Sequence, residues 1–320
     1  MKKGLIINLI LSVIPLIGLY SQDFTKVYLD KNDSTLFCYE KIPKGKIRGL
    51  LVLLAGSNGD AETVFNVTQL PSLASDSGLV VISLHSIPYK AGVLWLNDAT
   101  YNYIELAINK AFNEYKIPRS KCIMGGFSGG GIIALSYCEL AYEGNKKTDV
   151  KPVGVFTLSS PIDIEDLYLA FKRDIDSTFC NRKISRESIY QEERMRKEIG
   201  TPSTKYENYV KYSPYLMTHP NGGRAIFLKD ISVRCLDGIN GKDVANGVEE
   251  CESIDDSNFR PMTKFLAFLR KKGNQRAYFI DQYAPEYIPD GGEKLRCKHN
   301  WASIDSKECV NWIMSLINKN

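Results

Sequence analysis

The chain has 320 residues, of which 44% are hydrophobic and 24% charged, and its formal net charge is +4. These proportions are ordinary for a globular protein, and a chain of this length can bury a full core. Two of the positive charges, Lys2 and Lys3, lie at the N-terminus, and no basic stripe with interleaved aromatic residues follows. The composition therefore argues against a nucleic-acid partner.

The N-terminus has the pattern of a secretory signal. Met-Lys-Lys-Gly precedes an apolar run from Leu5 to Leu19, and Tyr20-Ser21-Gln22 follows it. We predict a signal peptide over residues 1–21, cleaved after Ser21. The apolar run has 15 residues, whereas a membrane span needs about 20. We expect a secreted or periplasmic protein without a stable membrane span after cleavage; a leader retained as an anchor is the alternative.

The rest of the chain alternates between predicted strands and predicted helices. Two edge strands are expected between Phe24 and Ile42, and a helix is expected over Ala61–Leu73. Short apolar runs bounded by turn residues predict buried parallel strands. These runs are Leu50–Ala55, Leu79–Leu84, Cys122–Phe127, Val153–Leu158, Ile231–Leu236 and Ala277–Ile280. Strands alternating with helices predict a mostly parallel sheet with helices on both faces.

One segment departs from this alternation. Residues from about 162 to 224 are rich in charge and tyrosine and show no clear strand pattern. We predict that this segment is an insertion between strands 6 and 7 that forms a cap at one end of the sheet.

Eight cysteines lie beyond the leader, and an even number in an exported chain permits disulfides. Cys122 and Cys138 fall in a predicted core strand and helix, so they are expected to be buried free thiols. Cys235–Cys251 and Cys297–Cys309 are plausible local bridges. No Cys-x-x-Cys pair occurs, which disfavours a zinc site of that kind.

A serine between glycines follows the predicted strand that ends at Phe127. The segment reads Gly126-Phe127-Ser128-Gly129-Gly130, and helical periodicity begins directly after it. Small residues on both sides permit a sharp turn from strand to helix that exposes a serine hydroxyl at the sheet edge. The pattern predicts Ser128 as a catalytic nucleophile, which in turn requires a base, an acid and oxyanion donors.

The base must be one of the three histidines, His85, His219 or His299. His299 lies between the last predicted strand and the last predicted helix, so its loop opens at the same sheet end as the loop after Ser128. His85 closes an early strand at the same end, and His219 falls in the predicted cap. We favour His299 as the base.

The acid is expected after the next-to-last strand, which gives the chain order serine, acid, histidine. Asp237 stands at the predicted tip of that strand and Asp243 lies six residues further on. We prefer Asp237 because a strand tip is a rigid platform, and Asp243 is the alternative.

Two backbone N–H groups are candidates for the oxyanion hole. One belongs to Gly129, directly after the nucleophile. The other is assigned to Ser57, in the loop after the Leu50–Ala55 strand, where Gly56 permits a close backbone approach. A simple glycine-rich turn is the alternative for this loop.

On these motifs the chain resembles the α/β-hydrolase superfamily from about Leu50 to its C-terminus, and most of all its exported, esterase-like branch. The matching segments are Leu54-Ala55-Gly56-Ser57, Gly126-Phe127-Ser128-Gly129-Gly130, the aspartate after the penultimate strand, and His299 before the final helix. The resemblance implies the α/β-hydrolase fold over residues 22–320, with eight strands, a Ser-Asp-His triad, and neither cofactor nor metal. The oxyanion loop departs from the family pattern, because Ala55-Gly56 stands where a His-Gly pair is usual.

These features together predict a serine hydrolase that acts on a carboxylic ester through an acyl-enzyme intermediate. The expected substrate is a small-molecule ester or an ester linked to a polymer. Alternatives within the same fold are a peptidase, a thioesterase, and a non-catalytic protein that binds a ligand, since a fold does not by itself determine function.

Overall fold

The computed structural model describes residues 23–57, 59–85, 94–144, 147–176, 186–237, 258–282 and 301–319. Eight strands lie within these ranges. They are β1 (Thr25–Tyr28), β2 (Phe37–Lys41), β3 (Gly49–Leu54), β4 (Leu79–Leu84), β5 (Cys122–Phe127), β6 (Gly154–Leu158), β7 (Ser232–Asp237) and β8 (Ala277–Asp281). They form a single sheet in the order β1-β2-β4-β3-β5-β6-β7-β8.

The sheet is antiparallel at one edge and parallel elsewhere. Strand β2 pairs antiparallel with both β1 and β4, and every other neighbouring pair is parallel. Every residue of β3, β4 and β6 is buried, as expected for central parallel strands covered on both faces. The predicted eight-stranded, mostly parallel sheet is therefore confirmed.

Nine α-helices lie within the described ranges. They are α1 (Thr63–Val67), α2 (Leu70–Asp76), α3 (Asp98–Tyr115), α4 (Gly129–Tyr142), α5 (Ile164–Asp176), α6 (Arg186–Glu198), α7 (Tyr206–Tyr212), α8 (Phe259–Lys271) and α9 (Ser306–Ile317). Helices α3, α4 and α8 pack on one face of the sheet, and α2 and α9 pack on the other. An apolar core lies on each face of the sheet, and β3 contributes to both. Leu50 and Val52 pack on one face, and Leu51 and Leu53 pack on the other.

The helix predicted over Ala61–Leu73 is two helices, α1 and α2. Thr68 ends α1 in an extended conformation, with φ −144° and ψ 155°. Pro71 then stands in the first turn of α2, where a proline needs no backbone N–H partner. The chain turns here because an extended residue and a proline together interrupt the helical hydrogen-bond ladder.

The cysteine predictions are half right. Cys122 and Cys138 are buried free thiols, as expected. Cys235 and Cys309 are also buried free thiols, in β7 and α9, so the two bridges predicted for them are wrong. Both thiols point into the packed core, and burial raises the pKa of Cys235 to about 12. Cys251 and Cys297 lie outside the described residues.

The chain between β6 and β7 is helical, with α5, α6, α7 and a 3-10 helix at Gly223–Leu228. No strand occurs in its described residues, 159–176 and 186–231. Residues of these helices form a separate apolar cluster with Leu94, Trp95 and Ile132. Its position as a cap over a site stays a prediction. Across the described part of the chain, no helix combines the length and the apolar character needed to cross a membrane.

Candidate active site

Ser128 stands at the turn between β5 and α4, one residue beyond the carboxyl end of the strand. Its backbone has φ 51° and ψ −126°, a conformation that side-chain-bearing residues seldom adopt and that marks stored strain. The Ser128 N–H donates to Leu158 O at 2.8 Å, so β6 holds the turn. The Ser128 side chain makes no capping hydrogen bond to the backbone of α4.

The glycines around Ser128 are required by close packing of α4 against the sheet. An ideal Cβ built on Gly126 would lie 2.2 Å from Gly130 O, and one built on Gly130 would lie 2.2 Å from Leu54 O. Both atoms are backbone oxygens that no side-chain rotation can move away. The first turn of α4 therefore sits directly against β3 and β5, and the N-terminus of this helix stands beside Ser128.

The loop after β3 wraps around the same turn. A Cβ on Gly56 would lie 3.2 Å from Ser128 Cβ, so the Gly56 backbone lies against the serine side chain. A Cβ on Gly129 would lie 3.4 Å from Ser57 N and 2.3 Å from Ser57 Oγ. The structure therefore brings together the three residues predicted to form the nucleophile and the oxyanion hole. Backbone N–H groups at a helix N-terminus suit a developing negative charge.

Asp237 is the last residue of β7, as predicted for the preferred acid. Its Oδ1 accepts a hydrogen bond of 2.8 Å from the hydroxyl of Ser159, the residue after β6. Ser159 is itself held by its N–H, which donates to Leu236 O at 2.8 Å, and by its carbonyl, which accepts from Asn258 Nδ2 at 3.2 Å. These contacts orient the Asp237 carboxylate from the side of β6. Asp243 lies outside the described residues.

Two of the three histidines hold local backbone structure. His85 Nδ1 accepts from the Ala61 N–H at 3.3 Å, and burial lowers the pKa of this imidazole, with Asp60 opposing the shift. His219 Nδ1 accepts from the N–H groups of Asn221 and Gly223, both at 3.2 Å. His85 and His219 therefore use one ring nitrogen each in loop structure. His299 lies outside the described residues.

The chain on both sides of residues 283–300 is anchored next to the site. Gln282 follows β8, and its N–H donates to Asp237 O at 2.8 Å. Its side-chain carbonyl accepts from the N–H of Asp305, the residue that caps α9. Trp301 is 3% exposed and packs on Phe127, with ring centroids 5.8 Å apart. Phe127 directly precedes Ser128 in the chain.

A further carboxylate at the same sheet edge is structural. Asp163 accepts hydrogen bonds from the N–H groups of Glu165, Asp166 and Met217. It thereby caps the start of α5 and ties that helix to the chain before β7. Burial raises the pKa of Asp163 to about 6. Both of its oxygens accept hydrogen bonds from backbone N–H groups, which gives Asp163 a structural role.

Sequence reasoning missed two features of this site. Ser159 carried no motif signal, because its partner Asp237 is 78 residues away in the chain. The hydroxyl of Ser57 carries no motif signal either, because the oxyanion pattern concerns the backbone N–H of that residue. A positive φ of 47° at Ser159 marks it as a strained position, but only coordinates reveal a backbone angle.

No protein-family model and no curated protein matches the chain. Solved structures do match it. A fluorophosphonate-binding serine hydrolase of Staphylococcus aureus has a TM-score of 0.55 at 15% identity, over 92% of this chain and 99% of that chain. Carboxyl esterase 2 of the fungus Tuber melanosporum has a TM-score of 0.56 at 14% identity, over 95% and 88%.

An S-formylglutathione hydrolase of Staphylococcus aureus also matches, with a TM-score of 0.51 at 14% identity over 92% of this chain and 97% of that chain. At such identities the likeness concerns the fold. Together with the strand order, it shows that this chain has the α/β-hydrolase fold, which is the fold that the resemblance of its motifs implies.

Proposed function

We propose that the protein is a serine hydrolase that cleaves a carboxylic ester through an acyl-enzyme. The observation that carries this proposal is the setting of Ser128. A non-glycine residue at φ 51° lies between a buried strand and a helix N-terminus, with the Gly56-Ser57 loop against it. Strain of this kind persists only where the surrounding structure enforces it, and it clusters at active sites, ligand clamps and switch regions.

In the first step the Ser128 oxygen attacks the ester carbonyl carbon, and its proton passes to the base. The carbonyl π electrons move onto the oxygen, where the N–H groups of Gly129 and Ser57 stabilise the negative charge. The tetrahedral intermediate then expels the alcohol, which takes the proton from the base. A water molecule repeats the sequence on the acyl-enzyme and releases the acid.

We assign the base to His299 and the acid to Asp237. Trp301 packs on Phe127, and His299 is two residues before Trp301 in the chain. This nearness in the chain to a residue that packs beside Ser128, together with the chain order serine, acid, histidine, supports the assignment of His299. Asp237 carries the preferred acid role because its carboxylate is oriented by Ser159 at the tip of β7.

We propose that residues 162–224 act as a cap that contacts the acyl group. The support is Leu94, which joins the apolar cluster of α5, α6 and α7 and also lies beside the site. Its Cδ2 would be 3.3 Å from a Cβ on Gly129. An apolar wall next to the oxyanion donors suits an ester with an apolar acyl group.

We also propose export through the N-terminal leader. The test is the mass of the mature protein recovered from a secreting host, which should begin at Gln22. Recovery of the full-length chain in the membrane fraction would instead indicate a retained anchor.

Hydrolysis of short p-nitrophenyl esters tests the central proposal. The wild type is expected to be active and Ser128→Ala inactive, while Ser160→Ala serves as the matched control. Ser160 is buried against the same helix, but its hydroxyl donates to Leu158 O. A fluorophosphonate probe should label the wild type and Ser160→Ala, and not Ser128→Ala. A folded wild type that is neither active nor labelled would contradict the proposal and favour a ligand-binding protein.

A further inference from the structure

The hydroxyl of Ser57 is buried and has no hydrogen-bond partner among the described residues. Buried hydroxyls in native proteins are nearly always paired, and the rare exceptions call for a functional explanation. A hydroxyl that pairs with nothing among the described residues is available to hydrogen-bond a ligand that reaches it.

The Ser57 hydroxyl lies next to Gly129, whose backbone N–H is one of the two predicted oxyanion donors. A Cβ on Gly129 would lie 2.3 Å from Ser57 Oγ and 3.4 Å from Ser57 N. One residue therefore presents both an N–H and an O–H next to the first residue of α4. The space that a side chain at residue 129 would occupy is filled by the Ser57 hydroxyl.

We propose that the Ser57 side chain is a third oxyanion donor, alongside the backbone N–H groups of Ser57 and Gly129; this inference rests on the proposed function. When Ser128 attacks the carbonyl carbon, the Ser57 hydroxyl donates a hydrogen bond to the oxygen that becomes negative. Ser57 keeps its proton throughout, and the proton of Ser128 still goes to the base. The hydroxyl gains its partner as the charge develops, which favours the transition state over the free enzyme.

The test compares Ser57→Ala with the wild type and with Ser160→Ala. Removal of one oxyanion donor typically lowers kcat by about 10²–10³-fold, and we expect this for Ser57→Ala with little change in KM. Affinity for an alkylboronic acid, which forms a tetrahedral adduct on the nucleophile, should weaken as well. Ser160→Ala should keep both kcat and boronate affinity near those of the wild type.

Thermal unfolding separates a catalytic role from a structural one. Since Ser57 Oγ makes no hydrogen bond in the described structure, Ser57→Ala should melt at the same temperature as the wild type or higher. A wild-type kcat in Ser57→Ala would overturn the inference and leave the proposed function intact. If Ser57→Ala melts at a lower temperature than the wild type and Ser160→Ala loses as much kcat as Ser57→Ala, the loss is a packing effect and the inference is overturned. An inactive, unlabelled wild type would overturn the proposed function and this inference with it.

Discussion

The hydroxyl of Ser159 donates a hydrogen bond to Oδ1 of Asp237 at 2.8 Å. It joins the ends of two adjacent parallel strands, β6 and β7, at the edge of the sheet where Ser128 lies. Ser159 adopts φ 47°, so a residue with a side chain is held in the left-handed region to present this hydroxyl. The relationship makes Ser159 a positioning residue for the proposed triad acid.

Removing this hydroxyl should lower the rate. Hydrogen bonds to charged groups contribute about 1.5–3 kcal/mol, so we expect kcat of Ser159→Ala to fall by roughly tenfold to a hundredfold with KM nearly unchanged. Ser159→Gly should lose as much activity but be more stable than Ser159→Ala, because a left-handed backbone costs a non-glycine residue about 1–2 kcal/mol. Ester kinetics and urea unfolding measure both effects. A wild-type kcat in Ser159→Ala would contradict the role.

The choice between the two candidate acids can be decided by amide substitutions. In a serine triad, changing the acid to its amide leaves the geometry intact and lowers kcat by about 10⁴-fold. We expect such a loss in Asp237→Asn and near wild-type kinetics in Asp243→Asn. The opposite pattern would transfer the role to Asp243, and the fluorophosphonate labelling rate should follow the same order as kcat.

Close packing at the start of α4 predicts that Gly130 does not tolerate a side chain. The Cβ in Gly130→Ala would meet Leu54 O at 2.2 Å and Ala55 O at 2.4 Å. Overpacking typically costs about 1–3 kcal/mol, which exceeds the gain of about 1 kcal/mol in helix propensity. We therefore expect a lower free energy of unfolding and a large loss of ester hydrolysis.

Gly45→Ala is the control for this prediction. Nothing lies within 4 Å of a Cβ at Gly45, so its stability and activity should match those of the wild type. Unimpaired stability in Gly130→Ala would show that α4 can move away from β3 without penalty.

The free energy of unfolding should fall as the pH is lowered, because His85 binds a proton more readily in the unfolded chain than in the folded protein. Burial lowers the pKa of His85 in the folded protein, Lys26 acts in the same direction and Asp60 opposes it. The unfolded chain therefore binds a proton more readily, and stability is lost as the pH falls below the unfolded value of about 6.5. Protonation also removes the acceptor for the Ala61 N–H.

His85→Asn tests this prediction, because asparagine keeps an acceptor near Nδ1 and does not titrate. Urea unfolding at about pH 7.5 and about pH 5.5, on either side of the unfolded pKa, should show a smaller fall in stability for the variant than for the wild type. Equal falls in the two proteins would mean that other groups cause the acid sensitivity.

Much of the fold was predictable because its signals are local. Buried parallel strands are continuous apolar runs, so β4 and β5 were predicted with the bounds that the structure has. The position of Ser128 at the turn between β5 and α4 was predictable for the same reason. A strand, a glycine-flanked serine and a helix follow one another within a short stretch of chain.

The disulfide and helix predictions that were wrong concern features that depend on contacts between distant residues or on the local backbone conformation. The predicted disulfides rested on the spacing of Cys235 and Cys309 from other cysteines, yet packing of β7 and α9 buries both thiols in the core. The single helix predicted over Ala61–Leu73 is two helices, because Thr68 is extended and Pro71 stands in the first turn of the second one. The hydrophobic periodicity of the sequence continues across this break.

The sequence by itself determined the order of strands and helices and the place of Ser128 between them, because hydrophobic periodicity and glycine content act over a few residues. Only the tertiary structure decided that Ser57 turns its hydroxyl toward Gly129 and that Ser159 holds Asp237. Each of these pairs joins residues at the carboxyl ends of different strands: Ser57 follows β3 and Gly129 begins the helix after β5, while Ser159 follows β6 and Asp237 ends β7. Their contacts exist only after the parallel sheet has aligned its carboxyl ends at one edge.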